Sequence, residues 1–112
     1  MRPGLHPDVL ADAARAFETD GVVCLRQIVD QAWTERLRDL AEEILSASVR
    51  HPEQSQELTK EGDGGRFFNE MFIWPRHQGF REVLFQTSPA AIAGGLMAAK
   101  KVYVLFDQLL IK

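Results

Sequence analysis

Few residues in this chain have the type and spacing to do chemistry, and the histidines come first. His6-Pro7-Asp8 has the H-x-D spacing that lets an imidazole and a carboxylate take adjacent positions in a two-histidine, one-carboxylate iron triad. His51-Pro52-Glu53 with the distant His77 writes the same triad in its glutamate version. Each has a plainer reading. Pro7 and Asp8 suit the first turn of a helix, so a helix start is favoured over metal binding at His6. His51 and Glu53 stand in the most polar stretch of the chain, whereas metal ligands need a rigid scaffold, so solvated loop residues are favoured there. Cys24, the only cysteine, has no neighbouring base that would generate a thiolate and reads as a small buried hydrophobe in an apolar strand. Asp63-Gly64-Gly65 and Gly94-Gly95 lack the Lys, Ser or Thr of a phosphate-cradling loop and read as turn and close-packing glycines. Phe67, Phe68, Phe72, Trp74 and Phe80 would stack on a flat ligand, but core packing is the favoured role.

The last residues are more informative. Period-two alternation puts Phe106, Gln108, Leu110 and Lys112 on one face of a strand and Asp107, Leu109 and Ile111 on the other. An amide and an ammonium on an otherwise apolar face are costly without partners, and a pocket that receives a carboxylate would satisfy them. A Lys112 that simply emerges into solvent explains the pattern equally well.

These residues must be positioned by elements that the periodicity outlines. Val9, Leu10, Ala13 and Phe17 recur at helical steps, predicting a helix over 8–20, and Asp20-Gly21 supplies the turn that follows. Val22-Val23-Cys24-Leu25 is β-prone and predicts a strand. Asp30 is a cap for a second helix carried by Trp33, Leu37, Leu40 and Ile44, running to about Val49. Residues 50–65 are polar and glycine-bearing and predict a mobile loop. The aromatic run 66–74 predicts an extended segment against the core, stopped by Pro75. Short helices follow over 79–86 and from Pro89, capped by Ser88, to about Ala98. Residues 102–106 and 109–111 are apolar on both faces, the pattern of a strand buried from two sides.

With 112 residues, 46% hydrophobic and 26% charged, the chain suits one globular domain, 1–112. A net charge of −3, with acids and bases mixed along the chain, offers no basic face and argues against nucleic acid as a partner. One cysteine allows no internal disulfide, which fits a reducing cytoplasm. Pro3, Gly4 and Pro7 interrupt any signal-peptide core, and no apolar run is long enough to cross a membrane, so neither export nor a membrane is expected.

Phe17-Glu18-Thr19-Asp20-Gly21-Val22-Val23-Cys24-Leu25-Arg26 resembles the helix-to-strand motif F-x-x-D-G-[apolar] of the phytanoyl-CoA dioxygenase-like family of Fe(II)/2-oxoglutarate-dependent dioxygenases. In family order follow the helix of Trp33 to Leu45, Gly65-Arg66-Phe67-Phe68-Asn69, Phe80-Arg81, Ser88-Pro89-Ala90-Ala91-Ile92-Ala93 and the strand ending at Lys112, so the resemblance spans nearly the whole chain. It implies an α+β fold: the N-terminal helices and first strands of a double-stranded β-helix, or jelly roll, truncated before the H-x-D ligands, the later histidine and the 2-oxoglutarate-binding arginine. It implies Fe(II), 2-oxoglutarate and a small organic substrate for the parent enzyme, with no tight binding of iron by this chain alone and no metal ligand among its residues. Lys112 resembles the family lysine that helps hold 2-oxoglutarate, and Gln108 joins it on strand parity alone. The chain is expected to continue beyond Lys112. The competing expectation, from a different class, is a non-catalytic interaction protein that pairs an open strand edge with a second copy.

Overall fold

His6 and Pro7 open the first helix, α1 (Pro7–Asp20): the His6 ring nitrogen Nδ1 accepts from the Asp8 N–H at 3.3 Å, and Pro7 takes the first turn, where a missing N–H costs nothing. The helix stops at Gly21, whose φ of 73° is the left-handed conformation that lets its N–H reach the Phe17 carbonyl at 2.8 Å. Asp30 caps α2 (Gln31–Ser46), its carboxylate accepting from the Trp33 N–H at 2.9 Å. At the other end the Arg50 guanidinium donates to the Ile44 and Leu45 carbonyls at 2.6 and 2.9 Å, satisfying groups that the last turn leaves open. In a computed structural model that describes residues 5–47 and 50–112, these helices are followed by β1 (Ser55–Glu57), β2 (Phe68–Met71), α3 (Gln78–Gln86), α4 (Pro89–Leu96) and β3 (Gln108–Ile111). The chain is α+β, with one antiparallel sheet in the order β1-β2-β3.

The core lies between one face of this sheet and the pair α2/α3. Leu40 and Ile44 meet Phe68, Ile73 and Phe80, with Leu37, Val83, Leu109 and Ile111 packed around them. Gly79 lets α3 approach so closely that a Cβ there would overlap the Leu40 side chain. Away from this core α1 packs on α4, where Gly95 accommodates Leu10 in the same way. The molecule is elongated: its radius of gyration is 16.5 Å, against about 13 Å for a compact domain of this size.

Several expectations are corrected. Residues 22–25 form no strand, Val22 is 69% exposed and Cys24 is exposed rather than buried, because β-prone side chains make a strand only where a neighbouring strand accepts their hydrogen bonds. The segment 102–106 is likewise unpaired, with Tyr103 and Leu105 82% and 84% exposed. β3 is an edge strand whose alternate residues face solvent, so it is not buried from two sides. The polar segment 50–65, expected as a loop, contributes β1, since a backbone ladder needs partners more than apolar area. It is tied down further by Leu58 N–H to the Phe67 carbonyl at 2.8 Å and by the Arg66–Glu57 ion pair at 2.9 Å. The second helix ends at Ser46; its expected extension reaches Val49, outside the described residues. Helix α4 ends at Leu96, and the Ser88 side chain makes no capping bond although Pro89 occupies the first turn. Of the aromatic group, Phe68 and Phe80 are core, whereas Phe67 and Phe72 are exposed.

Candidate functional site

Register decides which side chains share a face. Gln56 stands opposite Asn69 and Asn69 opposite Leu110, with Met71 opposite Gln108, so these five residues project from one side of the sheet. Phe68, Glu70, Leu109 and Ile111 project from the other, the side that faces the core. The first side leaves Gln56, Gln108 and Leu110 exposed. Three amides cross it: the Gln108 side chain donates through Nε2 to Asn69 Oδ1 at 2.8 Å, and Asn69 Nδ2 donates to Gln56 Oε1 at 3.0 Å. Asn69 is only 5% exposed, so both ends of its amide find partners within the sheet. Lys112 follows β3 directly and is exposed, at the position that continues the alternation of Gln108 and Leu110.

The parity reading of Gln108 therefore places it on the open side, and the structure adds two residues to its surroundings that sequence reasoning missed. Asn69 carried a signal: a strand-depleted polar residue inside the run Phe67-Phe68-Asn69-Glu70-Met71 needs a local reason. Gln56 carried none, because only the fold brings it beside Asn69.

Asp107 anchors β3. Its carboxylate accepts from the Ile73 N–H at 2.7 Å and the Trp74 N–H at 3.0 Å, and its carbonyl accepts from the Phe72 N–H at 3.0 Å. Phe72, at φ 52°, sits in the left-handed region that costs a bulky side chain free energy, and these bonds on either side hold it there.

On the helix side lies a polar recess of about 330 Å³ between the end of α2, Arg50 and the turn before α3. Glu70, on β2, reaches it with a side chain 3% exposed and accepts from Arg76 Nη2 at 2.5 Å; the same Nη2 donates to the Met71 carbonyl at 3.1 Å. His77 Nε2 lies 3.3 Å from a Glu43 carboxylate oxygen, and its ring meets Phe80 edge-on. The Arg50 guanidinium lies over the Phe68 ring, 4.9 Å from its centre.

At the outer edge of the sheet the Arg66 guanidinium hydrogen-bonds the Glu57 carboxylate, with Thr59 adding a further bond, and holds the Glu57 carboxyl below its ordinary value. The same contact raises Arg66.

The triads suggested by spacing are not assembled. His6 is spent on the start of α1, and of the second set His51 and His77 border one recess, but the acid beside His77 is Glu43 rather than Glu53. Among the described residues no three His, Cys, Asp or Glu side chains converge as metal ligands. No helix among the described residues is long and apolar enough to cross a membrane. Comparison with protein-family models, with curated proteins and with solved structures found no match to this chain.

Proposed function

We propose that these residues form the outer helices and first strands of a jelly-roll Fe(II)/2-oxoglutarate-dependent dioxygenase of the phytanoyl-CoA dioxygenase type. In this reading further strands extend the sheet from the free edge of β3, a small organic substrate is hydroxylated in the completed barrel, and the whole works in the cytoplasm. Lys112 helps to receive a carboxylate of 2-oxoglutarate, and Gln108, on the same face of the strand with Leu110 between them, is the second residue offered to that pocket. One observation carries the reading: an amide and an ammonium stand on the uncovered side of a sheet whose last strand is hydrogen-bonded along one edge only. The Asn69 contact refines the role of Gln108. Because one Nε2 hydrogen is already given to Asn69, Gln108 has a single N–H left for a carboxylate, and Lys112 supplies the charge.

The reading frame beyond the Lys112 codon tests this. A Pro-Gly turn followed by an H-x-D pair supports it; a frame without any H-x-D sinks it. The chain on its own should release no succinate from 2-oxoglutarate when Fe(II) is added, and iron-dependent succinate release would contradict the reading.

The same free edge favours a second reading, a non-catalytic protein that pairs β3 with another copy, burying part of the exposed apolar surface around Tyr103, Leu105 and Leu110. Light scattering separates the two. A well-defined dimer supports pairing, whereas a monomer or an open-ended aggregate does not.

A further inference from the structure

The inner neighbour of β3 decides which of its backbone groups are free. The Phe72 N–H donates to the Asp107 carbonyl at 3.0 Å, so in the β2–β3 register these two residues form a directly opposed, hydrogen-bonded pair. Alternation then turns the N–H and C=O groups of Leu109 and Ile111 towards β2, and those of Gln108, Leu110 and Lys112 outwards. The other ladder agrees. The Met71 N–H donates to the Gln54 carbonyl at 2.9 Å, so Met71 bonds away from β3, as the residue opposite Gln108 must. Among the described residues no strand lies beyond β3, and Gln108, Leu110 and Lys112 are exposed. Leu109 and Ile111 pack at the rim of the core and are only partly buried.

This outward row is complementary to itself. When two copies of β3 meet antiparallel about a two-fold axis through Leu110, Leu110 faces Leu110, Gln108 faces Lys112 and Leu109 faces Ile111. The first two pairings are of the hydrogen-bonded kind and supply about six N–H···O bonds in all. The third is of the kind in which side chains stand closest, and it lies on the core side, where it covers the two partly buried aliphatic residues of each copy. Other symmetric registers fit less well. An axis through Lys112 sets like charges opposite each other, and an axis through Leu109 sets the Asp107 carboxylate against Ile111. An axis through Ile111 bonds only Leu110 and Lys112 among these residues. We propose that two copies of this chain pair through β3 in the register centred on Leu110, joining their two sheets and the apolar cores beneath them. The inference rests on the second reading above, in which a copy rather than further strands takes the free edge.

Sedimentation of the full chain tests that reading, and NMR on a mixture of isotope-labelled and unlabelled copies tests the register. The expected result is a dimer with an intermolecular contact between the Leu109 and Ile111 Hα atoms, and with exchange of the Leu110 N–H slowed at high protein concentration and restored on dilution. Leu110→Pro removes only an outward N–H, which an edge strand tolerates, so it should keep the monomer folded while weakening association about tenfold or more. A monomer at every concentration, or open-ended aggregation, overturns both the reading and the register. A dimer that lacks the Leu109–Ile111 contact, or that a folded Leu110→Pro chain still forms equally well, overturns the register alone. If Leu110→Pro unfolds, the Hα contact in the unaltered chain decides by itself.

Discussion

The two faces of the three-stranded sheet are built from alternate residues of the same short strands, yet they differ in almost every physical respect. One face is closed by Phe68, Leu109 and Ile111 against Leu40, Ile44 and Phe80, and its two charges, Glu70 and Glu57, are matched by Arg76 and Arg66. The other carries a row of amides, a half-exposed leucine and the lysine that follows β3. The difference teaches that stability and specificity are assigned by parity here. A step of one residue along β2, from Phe68 to Asn69, moves from apolar packing to an amide hydrogen-bonded at both ends.

The sharpest way to break this comparison is Phe68→Ala. Its side chain is fully buried at the centre of the core, so the change should cost about 3–5 kcal/mol, read from the urea midpoint. A loss under about 1 kcal/mol would mean that the helices do not rest on this face. Asn69→Ala should come next, at about 1–2 kcal/mol, because it removes two side-chain hydrogen bonds from a buried position, while the exposed Gln56 and Gln108 turn to water. Hydrogen exchange should rise in β1 and β3 together, since the lost side chain joins them.

Leu110→Ala should change stability by no more than about 0.5 kcal/mol, because this leucine is 56% exposed on the open side. A larger, concentration-dependent loss would show that a second copy covers that side. The smallest effect concerns pH. The Arg66 guanidinium holds the folded Glu57 carboxyl below its ordinary value of 4.5, so the contact stabilises the β1–β2 arm fully above that value. The contribution fades as the pH falls through the lowered folded value. Exchange of the Leu58 N–H should therefore accelerate on acidification beyond its intrinsic pH dependence, and Glu57→Gln should remove that excess.

How much of this was legible depended on range. The starts of α1 and α2 were readable at Pro7-Asp8 and Asp30, and the stop of α1 at Gly21, because each is set within a few residues of chain. Helix α3 and the first turn of α4 followed from apolar spacing and Pro89 for the same reason. Strands were harder. Residues 22–25 and 102–106 have the composition of strands without being strands, and β1 is a strand without the composition. The open-side site was half legible: alternation put Gln108 and Lys112 together, but Asn69 as the link to Gln56 needed the register. The recess was not legible, because Glu43, Glu70, Arg76 and His77 come from three parts of the chain with no shared spacing.

By itself the sequence determined the α+β character, the caps and the parity of the last strand, all set by short-range hydrogen bonding and by the alternation of side chains along an extended backbone. Tertiary structure alone decided which apolar segments found a partner strand, which face of the sheet the helices cover, and that a buried carboxylate, a guanidinium and an imidazole share one recess. The physical reason is the same in each case: a strand's hydrogen bonds and a buried charge's partner lie far away in the chain, and only the closed core brings them within reach.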